Sequence, residues 1–291
     1  MEKVVVTGGA GFIGSHLCEA LSKDKALEVT SIDNYSTGTK MNHVAGVKYL
    51  SGETADIEDL IDFRPSTIYH LGEYSRVEES FNESEKVFQY NKIGTYKVVK
   101  FCSDNGCKLI YAASSTKFGD GGLGRSQSPY GWSKASNVEL IENYANWFGL
   151  EFAVTYFYNA YGPREISSGR YATLIAIFSE RMRMGLPLTV VQPGTQRRNF
   201  THVSDIVSGL VRVGEDGRGD GFGIGNPAAY SVMEVAKMFG GEVELVPERR
   251  GNRSDADLVT EKIIQLGWSP KIDLRDYIEE MRELGWCRSQ G

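Results

Sequence analysis

The chain has 291 residues, 41% hydrophobic and 24% charged, with 33 glycines against 8 prolines. That is ordinary globular usage with room for one large domain or two smaller ones, and it excludes a disordered or low-complexity protein. The 32 Lys and Arg against 38 Asp and Glu leave a net charge of -6, so no bulk field gathers nucleic acid, and any anionic ligand must be held by local groups.

In chain order, short β-branched runs at residues 3–7, 28–32, 47–50, 67–71 and 109–112 read as strands, and residues 13–22, 57–63, 87–105 and 130–148, apolar at helical spacing, read as helices. Their alternation predicts a doubly wound α/β architecture, a Rossmann parallel sheet with helices on both faces. Residues 152–157 continue as a sixth strand, after which loops at 161–170, 192–198 and 214–225 break the pattern. The expected organisation is a Rossmann domain over 1–160, with part of 195–225 returning to it, and 161–291 forming mainly a smaller C-terminal α/β substrate-binding lobe. No stretch approaches the roughly 18 unbroken apolar residues of a membrane helix. The opening MEKVVVTGGAGF lacks a basic leader and a cleavage site, so a cytoplasmic protein with no membrane or nucleic-acid partner is expected. Cys18, Cys102, Cys107 and Cys287 form no CxxC pair and read as buried thiols, with no metal site.

The first strand runs directly into Thr7-Gly8-Gly9-Ala10-Gly11-Phe12-Ile13-Gly14. Gly8 permits the tight turn, Gly11 lets backbone approach a pyrophosphate, and Gly14 lets helix and strand pack closely, with phosphates at the positive end of the helix. Nineteen positions after Gly14, Asp33 ends the second strand where the adenosine ribose would lie, followed by Asn34. A carboxylate there repels a 2'-phosphate, and Tyr35, Ser36 and Thr37 offer no arginine to hold one, so NAD rather than NADP is expected. Asp56-Ile57, after the third strand, could contact adenine, or Asp56 could be only a helix cap. Tyr130 and Lys134 stand four apart on a predicted helix and share a face. A phenol of reference pKa near 10 is about 0.1% ionised at pH 7, so a neighbouring ammonium is what a tyrosine base needs; an idle pair on a solvated helix face is the plainer alternative.

With these residues in place the chain resembles the extended short-chain dehydrogenase/reductase family, and within it the NAD-dependent nucleotide-sugar epimerases and dehydratases. The GGAGFIG turn, Asp33, Asp56-Ile57, His70-Leu71-Gly72, Asn91–Thr95, the YxxxK pair, Tyr158–Arg164, Arg198–Asp205 and Leu266–Pro270 occur in family order. The resemblance implies a catalytic Ser114 beside Tyr130 and Lys134. It further implies Gly8, Gly11, Phe12, Ile13, Asp33, Asn34, Asp56, Ile57, Leu71, Gly72 and Lys134 around NAD, and Ser75, Ser115, Thr116, Asn159, Arg198 and Arg253 around a nucleotide sugar. Family dehydratases carry Asp-Glu after the triad hydroxyl, and uronate decarboxylases commonly a Glu at the second of those positions; here they are Ser115 and Thr116. What remains suffices for oxidation and re-reduction at one carbon. The expected activity is therefore a 4-epimerase inverting C4 of UDP-glucose or UDP-GlcNAc. The alternatives are a dehydratase or reductase drawing its acid and base from Glu73 or Glu165, or an NAD-binding regulator without catalysis.

Four positions depart from the family. Glu73 replaces a small residue, Arg76 stands where a small hydroxyl residue is common, and Lys117-Phe118 replaces Val-Tyr. Glu73, Arg76 and Lys117 could form one salt-bridged cluster or read a charged sugar. The four histidines read as non-catalytic. The apolar helices around 87–105 and 138–148 resemble those that pair in family homodimers as a four-helix bundle.

Overall fold

Strand β1 (Glu2–Thr7) shows how the sheet is built: Val4 and Val6 point into one apolar cluster and Val5 into another, all at most 4% exposed, as a strand covered on both faces requires. The computed structural model describes residues 1–247 and 257–286; Arg253 and Cys287 lie outside them. Beside β1 run β2 (Leu27–Asp33), β3 (Lys48–Ser51), β4 (Thr67–His70), β5 (Lys108–Ser114), β6 (Phe152–Phe157) and β7 (Gly219–Ile224), all parallel, in the order β7-β6-β5-β4-β1-β2-β3. Strand order reverses between β1 and β4, so a crevice opens at their carboxyl ends, the usual ligand position in such sheets.

Helices α1 (Phe12–Ser22), α2 (Thr95–Asn105), α3 (Pro129–Phe148), α4 (Leu174–Arg183), α5 (Val203–Asp216), α6 (Val232–Phe239) and α7 (Leu274–Glu283) divide among three cores. Leu17 and Cys18 of α1 pack with Ile206 and Leu210 of α5 on one face of the sheet. Val98 and Cys102 of α2 pack with Val138 and Ile141 of α3 on the other. The lobe has its own core, in which Phe178 of α4, Phe239 of α6 and Ile278 of α7 surround Leu188 and Val190. This is the predicted doubly wound sheet with a smaller lobe.

Several expectations need correction. The 57–63 helix is only Ile57–Leu60, because Ile61 turns extended (φ -109°, ψ 108°) and buries its side chain to 4% exposure. The helix expected from 87 begins at Ser84 and passes through a π-helical stretch, Phe88–Gly94, before α2. The 214–225 loop contains β7, the edge strand of the main sheet. Gly223 looks like a turn residue but serves close packing: a Cβ on it would lie 1.8 Å from the Val259 carbonyl oxygen. Part of the expected lobe also belongs to the sheet's core, since Ile263 and Trp268 join the α1/α5 cluster and the Trp268 indole donates to the Asp205 carbonyl at 3.0 Å.

Cys18, Cys102 and Cys107 are free and buried, as predicted, and burial beside Asp33 pushes the Cys18 thiol up to about 12. Among the described residues no helix is long and apolar enough to cross a membrane, and no cluster of His, Cys, Asp and Glu could hold a metal.

Candidate active site

A cavity of about 650 Å³ lies along the carboxyl ends of the strands, and it collects most of the predicted residues. At one end Gly8, with φ 76°, turns the chain out of β1, and Gly11 caps α1 without a side chain. A Cβ on Gly14 would stand 2.1 Å from the Gly8 carbonyl oxygen, so only glycine lets the first turn of α1 pass this close, and the unfilled backbone cradle suits a pyrophosphate. The Asp33 carboxylate closes the turn: Ala10 N donates to Oδ2 and Tyr35 N to Oδ1, each at 2.8 Å. Two backbone donors hold it in place while its remaining lone pairs can receive ribose hydroxyls. Asn34, Phe12, Ile13, Leu71 and Gly72 line the same end, and the residues fit NAD.

Asp56 and Ile57 do not line this cavity. Ile57 is fully buried in the core, and the wall after β3 is made by Gly52, Glu53 and Thr54. Any contact of the Asp56-Ile57 pair with adenine is thus not through the Ile57 side chain. Replacing Asp33 with Ala should weaken NAD binding about 10- to 100-fold, the worth of charge-assisted hydrogen bonds. Calorimetry on protein stripped of nucleotide checks this, and an unchanged affinity would show that Asp33 only shapes the turn.

At the other end, Ser128 caps α3 by accepting from Gly131 N at 3.0 Å, with Pro129 as the first helical residue. This puts Tyr130 in the first turn, where the helix dipole favours negative charge, and Lys134 one turn further along the same face. Gly131 is required there, since a Cβ would meet the Gly124 carbonyl oxygen at 2.6 Å. Ser114 ends β5 and caps the turn Ser115–Phe118, accepting from Thr116 N at 3.2 Å while its hydroxyl donates to Thr116 Oγ1 at 2.9 Å. Ser75, Ser115, Thr116, Asn159 and Arg198 line the cavity with Tyr130 and Lys134. Asn159 is held by donation to the Asn199 carbonyl at 2.9 Å.

What sequence reasoning missed is the role of Glu73. Its side chain is 1% exposed and forms an ion pair with Lys134. The other carboxylate oxygen accepts from Thr95 Oγ1 at 2.8 Å and from Tyr111 OH and Asn137 Nδ2, each at 3.1 Å. Lys134 also donates to the Ala112 carbonyl at 2.7 Å. The network continues through His70, which bridges Thr95 Oγ1 (2.9 Å) and Thr7 Oγ1 (2.7 Å). The π-helical turn contributes Asn91, whose side chain bonds Tyr74 N (2.7 Å) and Ser133 Oγ (3.0 Å), tying the segment after Glu73 to α3. Glu73, Arg76 and Lys117 therefore form no common cluster. Lys117 instead bonds Asp220 Oδ2 at 3.1 Å and Tyr156 OH at 3.0 Å, pinning the Ser115–Phe118 turn to the sheet edge. Arg76 reaches the carbonyls of Ser75 and Tyr171.

Burial holds His70, and likewise His202 at the cap of α5, down to about 4. Both stay neutral in the fold, whereas the unfolded chain protonates them near pH 6.5. The unfolded state thus binds more protons between about pH 6.5 and pH 4, and stability falls as pH falls through that window, by as much as about 3 kcal/mol for each. Urea unfolding at about pH 7.5 and about pH 5 should show this loss, and His202→Asn should shrink it; an equal loss in that variant would assign the effect elsewhere.

A Rossmann sheet with a glycine cradle, a carboxylate at the end of its second strand and a Tyr-Lys pair on one helix face is the frame of an NAD-dependent enzyme. The chain belongs to the NAD dependent epimerase/dehydratase family, whose description matches residues 4–225. It is 30% identical over 308 residues to UDP-glucuronic acid decarboxylase 6 of Arabidopsis thaliana, covering 97% of this chain and 88% of that one. Among solved structures it is similar to the UDP-glucose 4-epimerase of Thermus thermophilus in complex with NAD, at 28% identity and a TM-score of 0.86, covering 95% of this chain and 96% of that one. It is also similar to the UDP-glucose 4-epimerase of Thermotoga maritima with UDP-glucose, at 26% identity and a TM-score of 0.87, covering 97% and 99%.

Proposed function

We propose that the protein inverts C4 of a nucleoside-diphosphate sugar, UDP being the nucleotide, through a transient 4-keto sugar. The observation that supports this reading is the convergence of Ser114, Tyr130 and Lys134 on the cavity that also holds Asp33 and the glycine cradle. Tyr130, as the phenolate, takes the proton of the C4 hydroxyl and later returns it, with Ser114 holding the same oxygen. NAD, when bound, supplies a hydride acceptor at C4 and gives the hydride back. Lys134 would hold the nicotinamide ribose, and Asn159, Arg198 and Arg253 the diphosphate, where arginine's planar fork suits phosphate oxygens. A firm grip on the nucleotide and a loose one on the sugar lets the keto sugar turn its other face before reduction.

The two carboxylates weighed for elimination, Glu73 and Glu165, are committed elsewhere. Glu73 is saturated by four donors, and Glu165, 7% exposed, accepts from Gly162 N at 2.9 Å and from the Thr173 hydroxyl. The Arabidopsis relative favours a second reading, decarboxylation of a uronic acid after the same C4 oxidation; against it stands Thr116 where those enzymes commonly have Glu. Turnover in D₂O separates the two: epimerisation returns protium to C4 of a product of unchanged mass, while loss of CO₂ leaves a pentose with solvent deuterium at C5.

We place the protein in the cytoplasm, in keeping with its free thiols, and as a homodimer. Phe88 (53% exposed) and Tyr96 (41%) near α2 and Trp147 (62%) and Phe148 (63%) on α3 present an apolar surface suited to a four-helix bundle. Light scattering after gel filtration tests this, and a single-chain mass would contradict it.

A further inference from the structure

Among the described residues Arg76 is held by backbone carbonyls rather than by a carboxylate. Its guanidinium donates to the backbone carbonyls of Ser75 (3.3 Å) and Tyr171, and its Nε is buried without a partner. Among the described residues it enters no ion pair within 4 Å. The titratable groups that act on it electrostatically are Tyr130, Glu165, Tyr74 and Tyr171. Glu165 is engaged by Gly162 and Thr173, and burial and the nearby Glu83 hold Tyr74 and Tyr171 as neutral phenols. Carbonyl dipoles satisfy donors without neutralising a charge, so a half-buried guanidinium whose Nε is buried without a partner gains from an anion that meets it.

We propose that Arg76 selects a nucleotide-linked hexuronic acid by binding the carboxylate at C6 of the sugar. This rests on the C4 reading of the site. Arg76 lines the cavity together with Tyr130, Ser75 and Thr116, so it lies at the reacting end. On the same reading the phosphates have other partners: the cofactor pyrophosphate would meet the α1 cradle, and the substrate diphosphate would meet Arg198, which comes from the strand Arg197–Asn199. C6 is joined to C5, the neighbour of C4, so a carboxylate there is the anionic group nearest to the carbon on which Tyr130 acts. The planar fork of arginine can grip it with two parallel hydrogen bonds, whereas the hydroxymethyl group of a neutral hexose would leave the guanidinium unpaired.

The test uses the NAD-loaded protein with UDP-glucuronate and UDP-glucose, measuring kcat/KM as substrate loss whatever the product, and Kd by calorimetry. The unaltered protein should prefer UDP-glucuronate by about 10- to 100-fold, the worth of a charge-assisted pair. Arg76→Gln should bring that ratio close to one, and Arg76→Lys, which keeps the charge but not the fork, should leave it in between. A wild-type preference for UDP-glucose, or a ratio that Arg76→Gln does not move, overturns the proposal; the wild-type ratio decides even where a variant does not fold. The two readings also fail separately. Tight, Arg76-dependent binding of UDP-glucuronate without turnover of either sugar would sink the C4 chemistry and keep the carboxylate subsite. Turnover of UDP-glucose with no tighter binding of UDP-glucuronate would do the reverse.

Discussion

Replacing Tyr130 with Phe is expected to lower turnover about 10²- to 10⁴-fold, the usual worth of a positioned acid or base, while sugar-nucleotide affinity stays within a few-fold. The substitution removes one hydroxyl and keeps the ring. The local fold does not depend on that hydroxyl: the start of α3 is set by the Ser128 cap, by Pro129 and by the close approach of Gly131 to Gly124. A fall in kcat with little change in Kd therefore reports lost proton transfer rather than a lost site. A Tyr130→Phe protein with full turnover would assign the proton transfer to another group. Full biological activity of that variant without turnover would point to a regulator that only binds NAD.

The second large effect is on stability. Glu73→Ala should destabilise the fold by about 3–5 kcal/mol, the range for breaking a buried ion pair from one side. It would leave the Lys134 ammonium, in a side chain 8% exposed, with only the Ala112 carbonyl, and would remove the acceptor shared by Thr95, Tyr111 and Asn137. Glu73→Gln keeps an acceptor for those three donors and should cost less. The urea midpoint measures both at unchanged slope, and a loss below about 1 kcal/mol for Glu73→Ala would mean that Lys134 finds another partner. The functional consequence lies in Lys134 itself: the residue expected to hold the nicotinamide ribose is anchored from behind by a carboxylate where the family usually has a small side chain.

The features legible in the sequence are those whose meaning is local. The turn from Gly8 to Gly14, Asp33 at the end of its strand, and Tyr130 four residues before Lys134 each encode geometry in their spacing, and the fold places all of them on one cavity. Glu73 could be seen as a departure but not understood, because its partners come from three other elements, Lys134 and Asn137 on α3, Tyr111 on β5 and Thr95 on α2. The same holds for Lys117, whose partner Asp220 is over a hundred positions away. Strand β7 was hidden for a different reason: Gly223 belongs to it because the Val259 backbone presses against it, and a glycine needed for tertiary contact looks the same in sequence as one needed for a turn.

The central claim is that one retained NAD serves a reversible oxidation at C4. Its most direct test is to incubate the purified protein, without added NAD, with UDP-glucose, UDP-GlcNAc and UDP-glucuronate, and to follow products by NMR and mass spectrometry. The account predicts conversion of at least one of them, UDP-glucuronate foremost, to its C4 epimer at unchanged mass. Loss of water or of CO₂ as the sole outcome, or no conversion of any of the three, would contradict it.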